Sequence, residues 1–363
     1  MDNIRLHRYK KSDREEVFTF LGLAYPDTVS NRLIKQWDWK YDSNPFNRNL
    51  EPYILLVKKG NKIVGMEGDM SLRVSICGEI YWITNGSDLV VHPDHRRQGL
   101  SKFIMRQNMI DHPLNIAWQN KISRRAVSTL TTYYSHPLTN WIKIINYSKV
   151  LRQAISKNLS PRWCDLFASG INKITRPLKR PQSSSDFTIA RMTNFDERAY
   201  DLWQKIQGDY PVLIVRDLQY LKWRYLDRPD VSYIMIAATK GTDLAGYMIF
   251  RLGEKRGMQI GYLVDFLVEG KSPLVFSLLV EKAVSCLIKE SADVISCQTT
   301  TGFGRWVLYR HGFYPWRWGT SGYFYSRVHM PDQTPPLPQY AKIFGDVRQW
   351  YITMGDGDLE LSF

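Results

Sequence analysis

The 363-residue sequence predicts an α/β (α+β) fold organised as two tandem copies of one domain. Two observations carry that expectation. A set of short motifs recurs in the same order after about 180 residues, the mark of an internal duplication. Within each copy, apolar β-branched runs ending in glycine turns alternate with stretches of helical spacing. The length allows each copy a core of its own.

The repeat starts near the N-terminus. IRLHRYKKSD is matched, beyond a polar stretch, by FTIARMTNFD, which aligns Arg8 with Arg191 and Asp13 with Asp196. WKYDSNP (Trp39, Tyr41, Pro45) is then matched by WRYLDRP (Trp223, Tyr225, Pro229), each at the end of a helix-like run. YILLVKKGNKIVG and YIMIAATKGTDLAG follow, each a strand, a turn carrying Gly60 or Gly241, and a second strand beginning near Gly65 or Gly246. These alignments place a first domain at residues 1–150 and a second at 186–330. Residues 151–185 form a basic connector: Leu151, Ile155 and Leu159, then Trp163, Phe167 and Ile171, recur at helical spacing. Two short amphipathic helices are expected there, docked on the first domain, with contact to an anionic membrane surface as the alternative. RPLKRPQSSSD breaks all periodicity and ends the connector. Residues 331–363 form an acidic tail, with Asp346, Asp356, Asp358 and Glu360 against Arg348, and Trp350, Tyr351 and Ile352 favour its docking on the body.

Several function classes drop out. No run of about 18 apolar residues is present, so no spanning helix is expected. The charged start lacks the apolar core of a secretory signal. Cys77, Cys164, Cys286 and Cys297 form neither a CxxC pair nor a zinc spacing, so no metal is expected and a reducing cytoplasm fits. The net charge of +14 is unevenly spread: residues 1–185 hold 29 Lys+Arg against 15 Asp+Glu, and residues 186–363 hold 20 of each. A field of one sign draws anionic ligands. Nucleic acid is disfavoured, because no zinc-finger, RNA-binding or helix-turn-helix pattern accompanies the charge.

The basic region begins in VVHPDHRRQGLSKF, residues 90–103. IYWITNGSDLVV before it reads as a strand, and the residues from Phe103 onward read as a helix, so the segment between is a strand-to-helix turn. Unpaired amides and the positive end of a helix dipole suit such a turn to a phosphate. Gly99 allows close backbone approach, and Arg96 and Arg97 add charge.

The order Val91-x-Pro93-x-x-Arg96-x-x-Gly99-x-Ser101 resembles the acyl-CoA motif of GCN5-related N-acetyltransferases (GNATs), with Ser101 where that family has Gly or Ala. The resemblance implies two GNAT-like domains, each a mixed, mostly antiparallel twisted sheet flanked by helices. It implies that main-chain groups of Leu89, Val90 and Val91 take the pantetheine arm of acetyl-CoA or another acyl-CoA, or of an acyl carrier's phosphopantetheine. Amides and side chains of Arg96, Arg97, Gln98, Gly99, Leu100, Ser101 and Lys102 then hold the diphosphate. The second copy has YLVDFLVEGKSPLVFSLL at this place, without the Arg-x-x-Gly order. Its LYRHGF resembles the Tyr-x-x-x-Gly-Phe ending of the same fold, shortened by one residue, so a degenerate second domain is expected.

Acyl transfer to an amine needs a base for the amine and an acid for the thiolate. Asp88, just before the motif, is the nearest carboxylate. In the family the acid is often a tyrosine after the segment NKISRRAVSTLTTYY; Asn120 and Ser123 match its start, the expected tyrosine is Val127, and Tyr133 or Tyr134 stands beyond. The doubled layout also resembles the aminoglycoside-acetylating enhanced intracellular survival proteins, whose terminal carboxylate is the base, a role that would fall to Phe363. Trp39, Tyr41, Glu67, Trp118 and Asn120 are assigned to the acceptor side. The favoured function is an acyl-CoA-dependent N-acyltransferase acting on a small-molecule amine, an amino sugar by resemblance, with an acyl carrier protein as a further partner. The alternatives are a Fem-like aminoacyl transferase using tRNA and a non-catalytic CoA-binding protein.

Overall fold

The computed structural model describes residues 4–119, 133–155, 186–316, 323–328 and 337–357. They form a mixed α/β chain that divides into two compact units, each assembled from separated segments. Unit 1 comprises Met1–Pro137, Tyr210–Ser232 and Gly322–Trp350, and unit 2 comprises Leu138–Asp209, Tyr233–Ser321 and Tyr351–Phe363. The contiguous spans 1–150 and 186–330 expected from the repeat are therefore not the compact bodies. The chain changes unit at about residue 138, well before the expected boundary.

Unit 1 starts with β1 (Ile4–Arg8), α1 (Arg14–Ala24) and α2 (Asp27–Trp37). β2 (Tyr53–Lys59), β3 (Lys62–Ile76), β4 (Glu79–Gly86) and the short β5 (Val90–Val91) follow, then α3 (Leu100–Asp111), β6 (Leu114–Gln119) and β7 (Tyr133–Pro137). The sheet order is β1-β2-β3-β4-β6, then the strand Tyr323–Val328, then β7. The β4–β6 pairing is parallel, and the other pairings along this order are antiparallel. One face carries α1 and α2 through a core that includes Phe20, Leu21, Trp37, Tyr41, Met66 and Val90. The other packs Leu55, Val57 and Val64 against Leu100 and Ile104 of α3.

Unit 2 repeats the arrangement. Its sheet runs Tyr314–Trp316, Asn140–Ile144, Val294–Gln298, Met258–Val268, Asp243–Lys255, Ile234–Lys240 and Thr188–Met192, with one parallel pairing at Met258–Val268 against Val294–Gln298. Matching turns occur in the two sheets. Cys77 and Gly78 (φ 51° and 88°) close the β3–β4 hairpin, and Arg256 and Gly257 (φ 50° and 74°) close its counterpart. Two consecutive positive φ values match the right-handed twist of a two-residue hairpin loop. In each sheet, the strand next to the one following the parallel-paired helix comes from the other copy. Tyr323–Val328 fills that place in unit 1, and Asn140–Ile144 fills it in unit 2.

The connector is described only at its start, as a helix Tyr147–Ile155, and the remainder to residue 185 lies outside the described residues. Of the tail, residues 337–357 are described, with a helix Leu337–Gly345 in unit 1; Asp358, Glu360 and Phe363 lie outside.

The W-[KR]-Y elements of the two copies meet within unit 1. Trp39 and Trp223 stack with centroids 5.0 Å apart and planes 18° from parallel. Trp39 Nε1 donates to the Trp223 carbonyl at 2.8 Å, and Trp223 Nε1 donates to the Trp39 carbonyl at 3.0 Å. A motif shared by two segments of the sequence thus becomes one reciprocal contact. Replacing a buried Trp by Ala typically costs about 3–5 kcal/mol, whereas removing one hydrogen bond costs about 1 kcal/mol. Trp223→Ala is expected to lower stability by the larger amount and Trp39→Phe by much less, read by urea denaturation with circular dichroism. Equal effects of the two would refute the stacked contact as the main term.

Candidate acyl-CoA site in unit 1

The site begins with a register fault. Asp69 pairs with Gly86, but both Ser87 N and Asp88 N donate to the Gly68 carbonyl, at 3.1 and 3.2 Å. Two residues of one strand therefore oppose one of the other, a β-bulge. Beyond it β5 continues on β3, with Met66 opposite Val90 and Gly65 opposite Val91. The parallel pairing with β6 ends at Gly86 and Ala117, so β5 and β6 diverge.

The divergence frees main-chain groups. Gly68 pairs with Asp88 and His92 N donates to the Val64 carbonyl at 2.9 Å, which fixes these as hydrogen-bonded pairs. By the alternation of antiparallel ladders, the amides and carbonyls of Leu89 and Val91 point away from β3, and those of Val90 point toward it. Leu89 and Val91 thus present a two-residue rail along the split, whereas the main-chain groups of Val90 face β3 and its side chain lies in the core. Arg96 Nε donates to the Val91 carbonyl at 3.3 Å.

The strand leads into a 3-10 turn, Pro93–His95, and then into α3. Arg97 (φ 64°) and Gly99 (φ 82°) are both left-handed, which folds the chain back onto the helix start. The strain at Arg97 is the kind that collects at ligand-binding turns. The first helical bond is Phe103 N to the Gly99 carbonyl at 3.0 Å, and no side chain caps the end. The amides of Leu100, Ser101 and Lys102 therefore have no acceptor within the helix. Arg96, Arg97, Gln98, Gly99 and Lys102 are exposed, Ser101 is half-buried, and Leu100 is buried beneath them.

Asp88 shares a sheet face with Gly68, the α1–α2 face. Its Oδ2 accepts from Lys40 Nζ at 2.9 Å and from the Tyr41 hydroxyl. Tyr41 lies directly on Gly68, where an added Cβ would collide with its hydroxyl. Burial, with the charge of Asp88 as the second cause, pushes the neighbouring Tyr25 hydroxyl up to about 12. Lys40 is 2% exposed in its side chain, and its role was not anticipated. The recurrence of a cation between Trp and Tyr, as Lys40 and Arg224, is the signal that could have found it.

The opposite face holds a second polar group. Glu67 and Asp69, both buried, project toward α3. Asp69 Oδ2 accepts from Asn108 at 2.7 Å and Asn115 at 3.1 Å. Arg327, 2% exposed, donates to Asn108 Oδ1 at 2.8 Å. Among the described residues, Glu67 Oε2 has no hydrogen-bond partner. Burial, then the charge of Asp69, holds Glu67 well above the ordinary glutamate value near 4.5, against the opposing charge of Arg327. Asp69, Asn108, Asn115 and Arg327 were not expected. Asn108 is legible in retrospect as a polar residue in the apolar stripe of α3, but nothing local marks Arg327.

Of the other expected residues, Trp39 and Tyr41 are buried, in the tryptophan stack and against Asp88, and their rings are not open acceptor faces. Trp118 is half-buried on β6, edge-on to Phe324 at 5.4 Å. Tyr133 and Tyr134 stand on β7, but their side chains, with Asn120 and Phe363, lie outside the described residues. The described residues contain no group of three metal-ligating side chains.

A proton retained in the fold but released on unfolding makes stability fall as pH rises above the unfolded value. Glu67→Gln removes that loss. The gap in melting temperature between Glu67→Gln and the parent is expected to move in favour of the variant from pH 4 to pH 8. A gap independent of pH would mean that Glu67 is ionised in the fold.

Residues 5–113 match a family model described as the acetyltransferase (GNAT) domain. No curated protein matches the chain significantly. Solved structures with a similar fold include N-myristoyltransferase of Saccharomyces cerevisiae with bound myristoyl-CoA and inhibitors, at 12% identity and TM-score 0.57, covering 90% of this chain and 80% of that one. A probable N-acyltransferase of Enterococcus faecalis V583 gives 13% and 0.58, covering 90% and 73%. A GCN5-related N-acetyltransferase of Anabaena variabilis gives 11% and 0.60, covering 90% and 73%. The GNAT domain model thus covers the strands, bulge and helix that build the site, residues 5–113, and the fold of about nine-tenths of the chain is similar to that of solved N-acyltransferases.

Proposed function

We propose that unit 1 binds one acyl-CoA and transfers its acyl group to the amine of a small acceptor. The observation that supports this reading most is the pairing of the Leu89–Val91 rail with the uncapped start of α3. A pantetheine arm is an extended chain with two amides, and it matches main-chain groups freed from a sheet. A diphosphate matches helix-start amides beside Arg96, Arg97 and Lys102. The same rail suits the phosphopantetheine of a carrier protein, since the arm is common to both donors.

Acyl transfer forms a carbon–nitrogen bond and breaks the carbon–sulfur bond, with the amine proton leaving to a base and the thiolate taking one up. Asp88 is the carboxylate assigned to receive the amine proton, directly or through water. It lies at the split itself, and Lys40 and Tyr41 fix its orientation. An amino sugar is retained as the acceptor class. Trp39 and Tyr41 are buried and offer no aromatic face to a sugar ring, whereas the basic residues beginning at Arg96 suit a phosphate-bearing form of such a sugar. Chain length is open to donors longer than acetyl, since a structural neighbour carries myristoyl-CoA.

Calorimetry with acetyl-CoA tests the reading. One equivalent is expected to bind, and Arg96→Ala combined with Gly99→Asp is expected to weaken binding by roughly a hundredfold or more, since charge-assisted bonds contribute about 1.5–3 kcal/mol each. Unchanged affinity in the double variant would exclude this turn as the diphosphate site. Asp88→Asn is expected to keep the affinity while slowing thiol release on an amine panel by about 10²-fold or more.

A further inference from the structure

Unit 2 carries the same split as unit 1, residue for residue. Phe250 pairs with Leu263 and Ile249 with Asp265, leaving Val264 as the bulged residue where unit 1 has Ser87. The register continues through Met248 with Phe266, Tyr247 with Leu267 and Gly246 with Val268. Asp265 thus stands where unit 1 has Asp88, Phe266 where it has Leu89, Val268 where it has Val91, and Gly246 where it has Gly65. The parallel pairing ends at Leu263 and Cys297, so the two strands diverge as β5 and β6 do. Phe266 N turns to Asp265 Oδ1 at 2.9 Å, as expected for main-chain groups facing out of the ladder.

Two groups along this second split, the Phe266 carbonyl and the Asp265 carboxylate, are already bonded to the chain's own tail. The Tyr351 hydroxyl donates to the Phe266 carbonyl, the counterpart of the Leu89 rail. Thr353 Oγ1 donates to Asp265 Oδ1 at 2.8 Å, the counterpart of Asp88. Across the split, Thr300 N donates to the Ile352 carbonyl at 3.3 Å, Ile352 N donates to Thr300 Oγ1 at 2.9 Å, and Thr299 forms a bridge with Thr353. Tyr351 packs edge-on to Phe266 with centroids 5.8 Å apart. Tyr351, Ile352, Thr353, Met354 and Asp356 are each 2% exposed or less. Asp356 closes the segment by accepting from Thr353 N at 2.7 Å.

We propose that residues 351–357 are the built-in ligand of unit 2: an extended stretch, Tyr351–Thr353, closed by the 3-10 turn Met354–Asp356 and seated in the split that, in unit 1, takes the pantetheine arm. The assignment of the unit 1 split rests on the function proposed above, whereas the seating of the tail does not. The diphosphate end of unit 2 is closed as well. Its helix, Pro273–Lys289, starts with a proline that has no amide hydrogen, and Ser272 Oγ takes the Val275 amide at 3.4 Å. An extended peptide needs no diphosphate site, so the cleft that remains fits a backbone and excludes a nucleotide.

Hydrogen exchange of the full chain, read by mass spectrometry, tests this directly. Residues 351–357 are expected to exchange as slowly as Met258–Val268, both alone and with saturating acetyl-CoA. Tyr351→Phe with Thr353→Val keeps side-chain volume but removes two hydroxyl bonds, and is expected to speed exchange in the segment at least tenfold while leaving β2 and β3 unchanged. Fast exchange of the parent tail, no change in the double variant, or loss of tail protection on adding acetyl-CoA would each overturn the proposal. In the last case the cleft would be a cofactor site that the tail merely covers. If acetyl-CoA fails to bind at all, the function proposed for unit 1 falls, while the exchange of the uncomplexed chain still decides the seating of the tail.

Discussion

Everything in unit 1 that bears on chemistry follows from one extra residue, Ser87, between Gly86 and Asp88. A β-bulge inserts a residue without breaking the partner strand, and it increases local twist. Here it bends the strand away from β6 while β3 still holds it. Three consequences come together: the Leu89 and Val91 main-chain groups face the split, Asp88 is delivered to the α1–α2 face, and the chain is aimed at the turn that starts α3. Without the added residue the register would shift by one, and each side chain beyond it would move to the other face. Asp88 would then lie with Glu67 and Asp69, a third carboxyl for the single cation Arg327 to balance.

The two units show how one backbone is kept or relieved of a ligand by small choices. Both have the bulge, the split and the hairpins of positive φ. They differ at the helix start, where an uncapped glycine leaves amides free in one and a Ser-Pro pair satisfies or deletes them in the other. They differ again at the rail, where Phe266 is bonded to the tail in unit 2, whereas in unit 1 the Val91 carbonyl takes a bond from the Arg96 side chain. A helix start can bind an anion only if its own side chains decline to cap it.

Much of this was legible in the sequence, for physical reasons. The repeat was visible because turns and the Trp-x-Tyr element demand particular residues at particular places. The strand-to-helix turn proposed to hold the diphosphate was visible because Arg96, Gly99 and the flanking strand and helix are consecutive in the chain. The bulge was not, since IYWITNGSDLVV reads as one strand, and an inserted residue leaves no composition signal. The Glu67, Asp69, Asn108 and Arg327 cluster was also hidden, because its members come from three elements and more than two hundred residues of chain. The aromatic residues Trp39 and Tyr41 were assigned outward where they pack inward. A tryptophan in a short motif gives no sign of which neighbour will cover it, and here the cover for Trp39 is the matching tryptophan of the other copy.

The strand exchange has a consequence for how the molecule is made. The sheet of unit 1 has Tyr323–Val328 between β6 and β7, so its ladder remains incomplete until the ribosome has passed residue 328. Nascent domains ordinarily fold one after another as they emerge. In this chain β6 and β7 must wait, with their edges open, for a strand encoded near the end. Such long-range closure slows folding and lengthens exposure of bare strand edges. The two copies, although alike in design, are born as a single folding unit.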